Sequence, residues 1–244
     1  MEVLDLGCGW GSFTLYAAER FPGCRITAVS NSSGQRRSIE AEAKRLGLDN
    51  VEVITADVNE FDPKRRFDRL VSVEMFEHMR NWKELLGRVS AWLEPEGRAF
   101  IHVFSHRTLA YRYEENWASN RFFAAGTMPS HDLMLRFQQH LEVENRWAVN
   151  GRHYARTLDA WLKKLDANHA EARRILGEVK SGRDEVKSGR DEVKSGRDAA
   201  KSGRDAAEAA AIWRVFLIAA RETWACGNGE EWILSHYLLK PRKT

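Results

Sequence analysis

The sequence predicts an α/β fold, with a mostly parallel sheet and helices on both faces. Three observations predict it. Strand-like and helix-like segments alternate through the first half, the signature of a parallel sheet joined by crossover helices. The first strand runs directly into Leu4-Asp5-Leu6-Gly7-Cys8-Gly9-Trp10-Gly11-Ser12-Phe13, a glycine turn that opens a helix. And 244 residues with 43% hydrophobic content are enough for one large domain with a real core.

The elements follow in order. Met1 to Leu6 reads as the first strand and Ser12 to Arg20 as the first helix. Arg25 to Ser30 is a second strand, followed by a helix from about Ser33 to Leu46 that Gly47 ends. Val51 to Ala56 is a third strand. Asp68 to Val73 is a fourth, after a turn around Asp62-Pro63. A helix from Trp82 to Leu93 stops at Pro95-Glu96-Gly97, and Ala99 to Phe104 is the fifth strand. The alternation then breaks. Leu141 to Val149 and Trp232 to Leu239 read as late strands on either side of a helical excursion.

Composition narrows the function classes. A net charge of +3, evenly spread, gives no electrostatic footprint for nucleic acid. Three cysteines, Cys8, Cys24 and Cys226, lie far apart and form no C-x-x-C pair, which indicates neither a disulfide framework nor a zinc site. No metal ligand set is expected, and the cysteine usage fits a reducing cytoplasm. No apolar stretch approaches the length of a membrane span; the greasiest patch, Ile212 to Ala220, is interrupted by Arg214.

Lys180-Ser-Gly-Arg-Asp-Glu-Val recurs from Lys187, and in the form Lys-Ser-Gly-Arg-Asp-Ala-Ala from Lys194 and Lys201. The seven-residue period lacks a coiled coil's apolar pair, and each repeat carries a glycine that costs about 1 kcal/mol in a helix. Residues 177–211 therefore read as a low-complexity insertion, marginally helical or disordered, within a single domain over 1–244.

The chemistry-bearing residues fall at the predicted strand ends, the edge where open α/β sheets bind ligands. Gly7, Gly9 and Gly11 let a ligand lie against the main chain, and Asp5 can reach its polar groups. The turn departs from G-x-G-x-x-G, and no Lys-Ser/Thr pair follows, so a phosphate cradle is not indicated. The second strand ends without the acid that commonly holds a ribose; Asn31 and Gln35 can bond a nucleoside instead. At the third strand end, Asp57 can accept an adenine amino group while Val58 packs on the ring. A helix N-cap is the plainer role for Asp57. After the fourth strand comes Ser72-Val73-Glu74-Met75-Phe76-Glu77-His78-Met79. Two carboxylates and an imidazole at this edge suit proton transfer beside a reacting atom. The alternative is that Glu77 and His78 only cap and orient the next helix. His102 on the fifth strand points to the same edge, although a lone strand histidine is more often a satisfied core residue.

The glycine turn resembles the S-adenosylmethionine turn of class I methyltransferases. Together with Glu74-Met75-Phe76-Glu77-His78, it resembles the family of cyclopropane-fatty-acyl-phospholipid synthases and plant coclaurine-type N-methyltransferases. Ser105-His106-Arg107-Thr108-Leu109-Ala110-Tyr111, Gly151-Arg152-His153-Tyr154-Ala155-Arg156-Thr157 and Asn228-Gly229-Glu230-Glu231-Trp232 are similar to the N-methyltransferase branch. The resemblance implies a Rossmann-like fold with a seven-stranded sheet and a helical insertion before the last strand. It also implies S-adenosylmethionine as cofactor and a small-molecule acceptor, with Glu77 and His78 as an acid/base pair.

The cyclopropane synthases carry glycine where this sequence has Glu74, which favours an amine acceptor here. Their bicarbonate ligands are similar to Glu77, His102 and Tyr154, so bicarbonate belongs to the alternative, methylene transfer to unsaturated phospholipid chains, in which a lipid surface would be touched. Family members also carry a segment before the first strand that helps close the site. The sequence starts at that strand, so a more open pocket is expected, and a cofactor-binding protein without turnover is the second alternative.

Overall fold

The computed structural model of the chain describes residues 1–114, 126–177 and 196–242, and for 196–204 the backbone alone. Its elements are β1 (Glu2–Leu6), α1 (Ser12–Arg20), β2 (Arg25–Ser30), α2 (Ser33–Leu46), β3 (Val51–Thr55), β4 (Phe67–Val73), α3 (Trp82–Trp92) and β5 (Leu93–His106). There follow β6 (Tyr111–Arg112), β7 (Thr127–Met128), β8 (Leu141–Asn150), α4 (Arg152–Ala167), a helix α5 over residues 169–177, α6 (Gly196–Ala225) and β9 (Trp232–Pro241).

Seven strands form one sheet in the order β3-β2-β1-β4-β5-β9-β8. The pairs among β1 to β5 are parallel, and β9 runs antiparallel to β5. The period of two along each strand sorts the core onto two faces. Val3 and Ile26 are register partners and pack with Ala17 and Ala18 of α1. Ala28 packs with Ile39 of α2. Leu4, Leu6 and Val29 point the other way, into a larger cluster with Trp82, Leu85, Leu86, Val89 and Trp92 of α3. Helices therefore cover both faces.

Local sequence sets the helix starts. Ser32 caps α2 by accepting from the Gln35 N–H, and Asn81 caps α3 by accepting from the Glu84 N–H. The spacing of the buried α3 residues is an i, i+3, i+4, i+7 stripe facing the sheet.

Two features differ from the sequence reading. The fifth strand begins directly after α3, at Leu93, and runs through Pro95. β5 advances from Leu93 to Arg98 while its partner β4 advances only from Phe67 to Arg69, so the Pro-Glu-Gly segment bulges out of the ladder instead of ending the helix. The short pair β6–β7, unforeseen in the sequence, forms a separate two-stranded sheet.

By packing, the chain groups into two compact units, Met1–Val149 with Trp232–Thr244, and Asn150–Glu231. The sequence reading takes one domain with an insertion at 177–211; the second compact unit runs from Asn150 to Glu231 and includes the described part of that segment. Within it α4 and α6 pack together. Arg214 pairs with Asp166 at 2.8 Å and Arg221 with Asp159 at 3.2 Å. The repeats starting at Lys180 and Lys187 lie outside the described residues. The last repeat, from Lys201, lies inside α6 and is helical. Ala206, Ala209 and Ala210 are buried, so the C-terminal end of the 177–211 segment is packed rather than solvated. That burial offsets the helix cost of Gly203. Among the described residues no helix is long and apolar enough to cross a membrane.

Candidate active site

The carboxyl ends of β3, β2, β1 and β4 are adjacent along one edge of the sheet. The chain leaves β1 through Gly7, Gly9 and Gly11, with φ values of 84°, 54° and 86°, all in the left-handed region. Gly7 and Cys8 N–H groups both donate to the Val29 carbonyl of β2, which pins the turn to the sheet. A Cβ on Gly7 would lie 2.7 Å from Cγ of Met75, so the segment after β4 closes over the turn. Among the described residues a Cβ on Gly9 would meet nothing within 4 Å. The main chain at Gly9 therefore faces open space, as a cradle for a bound molecule requires.

Asp5 does not reach outward. It is 2% exposed and accepts from the Thr14 hydroxyl at 2.6 Å, bracing β1 against α1 from inside the turn. Burial pushes its pKa up to about 6. Burial, with the Asp5 charge adding, pushes the Cys8 thiol up to about 12 and keeps it protonated.

At the end of β2, Asn31 is exposed. The Gln35 side-chain oxygen accepts from Ser30 Oγ, which aims the amide beside the strand end. After β3, Asp57 is exposed and its Oδ1 accepts from both the backbone and side-chain nitrogens of Asn59, each at 2.8 Å. No helix follows it, so it caps a turn rather than a helix. Val58 packs against the core beneath. A nucleoside cofactor fits this run of three strand ends: an open glycine cradle, then an amide, then a carboxylate over an apolar residue.

The segment after β4 carries the acidic cluster. Ser72 Oγ donates to the Leu6 carbonyl at 2.8 Å, tying the ends of β4 and β1 together. Glu74 sits at φ 51°, rare for a residue with a side chain, and its N–H donates to the His102 carbonyl at 2.9 Å. Phe76–His78 form one 3-10 turn, fixed by Trp82 Nε1 donating to the Phe76 carbonyl at 2.8 Å.

This turn separates Glu77 from His78. Glu77 is 1% exposed, and among the described residues neither carboxyl oxygen has a hydrogen-bond partner. Burial raises its pKa well above the usual carboxylate range, and the Glu74 charge adds to the rise. Tyr113 lies within the field of Glu77; its phenol is pushed up by burial first and by that charge second. His78 is exposed and lines a cavity of about 600 Å³ with Asn59, Arg80, Asn81 and Glu84. Partial burial lowers its pKa while Glu74 pulls the other way.

His102 Nε2 lies 3.7 Å from Glu74 Oε1, and its Nδ1 lies 3.0 Å from His236 Nε2 on β9. Glu74, Glu77, His78 and His102 are thus brought to one edge. Tyr154 belongs to the second unit, on α4, with its ring 4.9 Å from that of Trp224. The sequence reading missed Tyr113 and His236. His236 is visible only through the antiparallel register that sets it opposite His102.

Comparison with known proteins extends this geometry. The chain is 37% identical to an (S)-coclaurine N-methyltransferase of Papaver somniferum, over 99% of this chain and 65% of that protein. It is 34% identical to a pavine N-methyltransferase of Thalictrum flavum subsp. glaucum, over 99% of this chain and 64% of that one. It thus spans just under two thirds of the length of these relatives. A crystal structure of coclaurine N-methyltransferase bound to N-methylheliamine and SAH superposes with a TM-score of 0.85 at 36% identity, covering 98% of this chain and 66% of that one. The fold is the Rossmann-like methyltransferase fold. The family model for mycolic acid cyclopropane synthetase matches residues 1–182, and the chain belongs to that family.

Proposed function

We propose that this chain is an S-adenosylmethionine-dependent methyltransferase that methylates an amine nitrogen of a small molecule. The observation that carries the reading is the placement of Glu74 and Glu77 immediately beside the open glycine turn, through the contact of Met75 with Gly7. When bound, the cofactor would supply an electrophilic methyl carried on a sulfonium. Gly7, Gly9 and Gly11 would hold its main-chain-facing part, with Asn31, Gln35, Asp57 and Val58 around the nucleoside. The chain's own residues then position the acceptor and manage its proton.

An amine attacks only through a free lone pair. Glu74 can hold a protonated acceptor at the site, and a carboxylate at this edge takes that proton first, which frees the lone pair. The alkylated nitrogen carries one proton too many, and a carboxylate at this edge can take it. Glu77, held neutral by burial across a wider pH range than an ordinary carboxyl, can donate a hydrogen bond to a bound acceptor until it is ionised. His78, with a depressed pKa, is an imidazole base at neutral pH. The three unpaired cysteines fit a reducing compartment, and we assign the chain to the cytoplasm.

The test is product analysis. The purified chain is given S-adenosylmethionine with a panel of small primary and secondary amines, coclaurine included, and separately with vesicles of unsaturated phospholipid. Methyl transfer to nitrogen supports the reading. Cyclopropane formation in the lipid chains replaces it with methylene transfer. Cofactor binding in calorimetry without either product makes the chain a binding protein.

A further inference from the structure

His102 and His236 are register partners on β5 and β9. Their rings lie 4.8 Å apart at 35°, with the 3.0 Å contact joining Nδ1 of His102 to Nε2 of His236. The His236 ring is also set edge-on against Phe100 at 5.3 Å, which fixes its orientation. On the far side, His102 Nε2 faces Glu74 Oε1 at 3.7 Å. Glu74 is itself anchored to the His102 carbonyl through its backbone. Three titratable groups on three adjoining segments thus line up from the acidic cluster to the half-buried His236.

We propose that His236 is a positioning residue: by hydrogen-bonding His102 it holds His102 Nε2 toward Glu74, and the two rings pass the acceptor's surplus proton to water. The inference rests on the amine-methylation reading. One hydrogen occupies the contact between the rings. With it on His102 Nδ1, the lone pair of His102 Nε2 faces Glu74. The surplus proton leaves the alkylated nitrogen for the Glu74 carboxylate and moves on to His102 Nε2. His102 gives its Nδ1 proton to His236 Nε2, and His236 gives its own Nδ1 proton to water. One proton enters and one leaves; no bond other than N–H and O–H changes. Burial, with His102 adding, lowers the His236 pKa, so the pair does not trap two charges. Among the described residues Glu74 faces the pair directly, and its charge in turn acts on Glu77 and His78.

The test has an arm independent of turnover. In ¹⁵N-histidine NMR of the whole chain, His236→Leu should change the tautomer balance of His102, and His236→Gln, whose side-chain oxygen can still accept from Nδ1–H, should restore the Nδ1–H form. In kinetics, His236→Leu should lower kcat about tenfold, the worth of one hydrogen bond. KM for the acceptor should hold, and added imidazole should recover part of the rate. His102 ring nitrogens that do not respond to His236→Leu overturn the proposal whether or not the chain turns over. Coupled nitrogens with a normal kcat overturn the proton path. A failure of the amine reading appears separately, as wild-type protein that forms no N-methyl product while the nitrogen shifts still decide the positioning.

Discussion

Thr14 Oγ1 donates to Asp5 Oδ2 at 2.6 Å, and both side chains are buried between β1 and α1. The carboxyl is held inside the fold with its pKa raised from 3.8 to about 6, chiefly by burial. A carboxyl raised on folding binds more protons in the folded state between those two values. Stability is therefore full below the unfolded value and falls as pH rises to the folded one. A rise of this size corresponds to roughly 3 kcal/mol lost between pH 4 and 6. Denaturant unfolding of wild type against Asp5→Asn across pH 4 to 7 should show that slope in the wild type and a flatter curve in the variant. Equal slopes would mean that Asp5 ionises freely.

The glycine turn gives a second prediction, because its glycines face different surroundings. An alanine at Gly7 is strained at positive φ and drives its methyl into Met75, so Gly7→Ala should lose stability by about 2–4 kcal/mol from strain and overpacking together. An alanine at Gly9 carries the strain of about 1–2 kcal/mol without a clash. Gly9→Val, with a larger side chain in the same open space, should fold and lose cofactor affinity. Calorimetry with S-adenosylhomocysteine on a folded Gly9→Val variant decides it; unchanged affinity removes the turn from the cofactor site.

What the sequence made legible was local. The alternation of strands and helices, the stop of α2 at Gly47 and the turn at Gly7 are each written within a few residues. So is the clustering of Glu74, Glu77 and His78 after β4. What it hid depends on register and burial. The β5 bulge exists because β4 and β5 advance unequally, and Pro95 alone reads as a stop. His236 acquires its partner only from antiparallel pairing. Asp5 reads as a ligand residue by position, while its burial under Thr14 follows from the close packing of α1. Glu77 and His78 are neighbours in sequence, yet the 3-10 turn buries one and exposes the other.

The repeat segment shows the same limit. Its composition cannot build a core, and its period lacks the apolar pair of a coiled coil. Yet Ala206, Ala209 and Ala210 are buried within the unit formed with α4. A charged side chain at these positions would be buried without a partner. Ala209→Glu and Ala210→Glu should therefore each lower stability by several kcal/mol or drive a local opening. Glu208→Ala, exposed on the same helix, should change stability by less than about 0.5 kcal/mol. Thermal melts compare the three. Silent glutamates at 209 and 210 would show that α6 does not pack through these alanines.

Glu77 links stability to chemistry in opposite directions. It is buried with neither oxygen partnered among the described residues, and its pKa is raised by burial. Ionisation at neutral pH therefore costs the folded state, and stability should fall as pH rises from the ordinary carboxylate range toward the raised folded value. Glu77→Gln keeps the shape and removes the charge. It should raise the melting temperature at pH 8 relative to wild type and lower turnover by about 10²–10⁴, the usual size of general acid–base help. His78→Ala, at an exposed position, should lower turnover with little change in melting temperature. Cofactor affinity should hold in both. A residue whose role is only to cap the following helix would give the reverse pattern, with stability lost and turnover kept. Loss of cofactor binding in either variant would instead move the pair into the cofactor shell and leave Glu74 and His102 as the residues beside the acceptor.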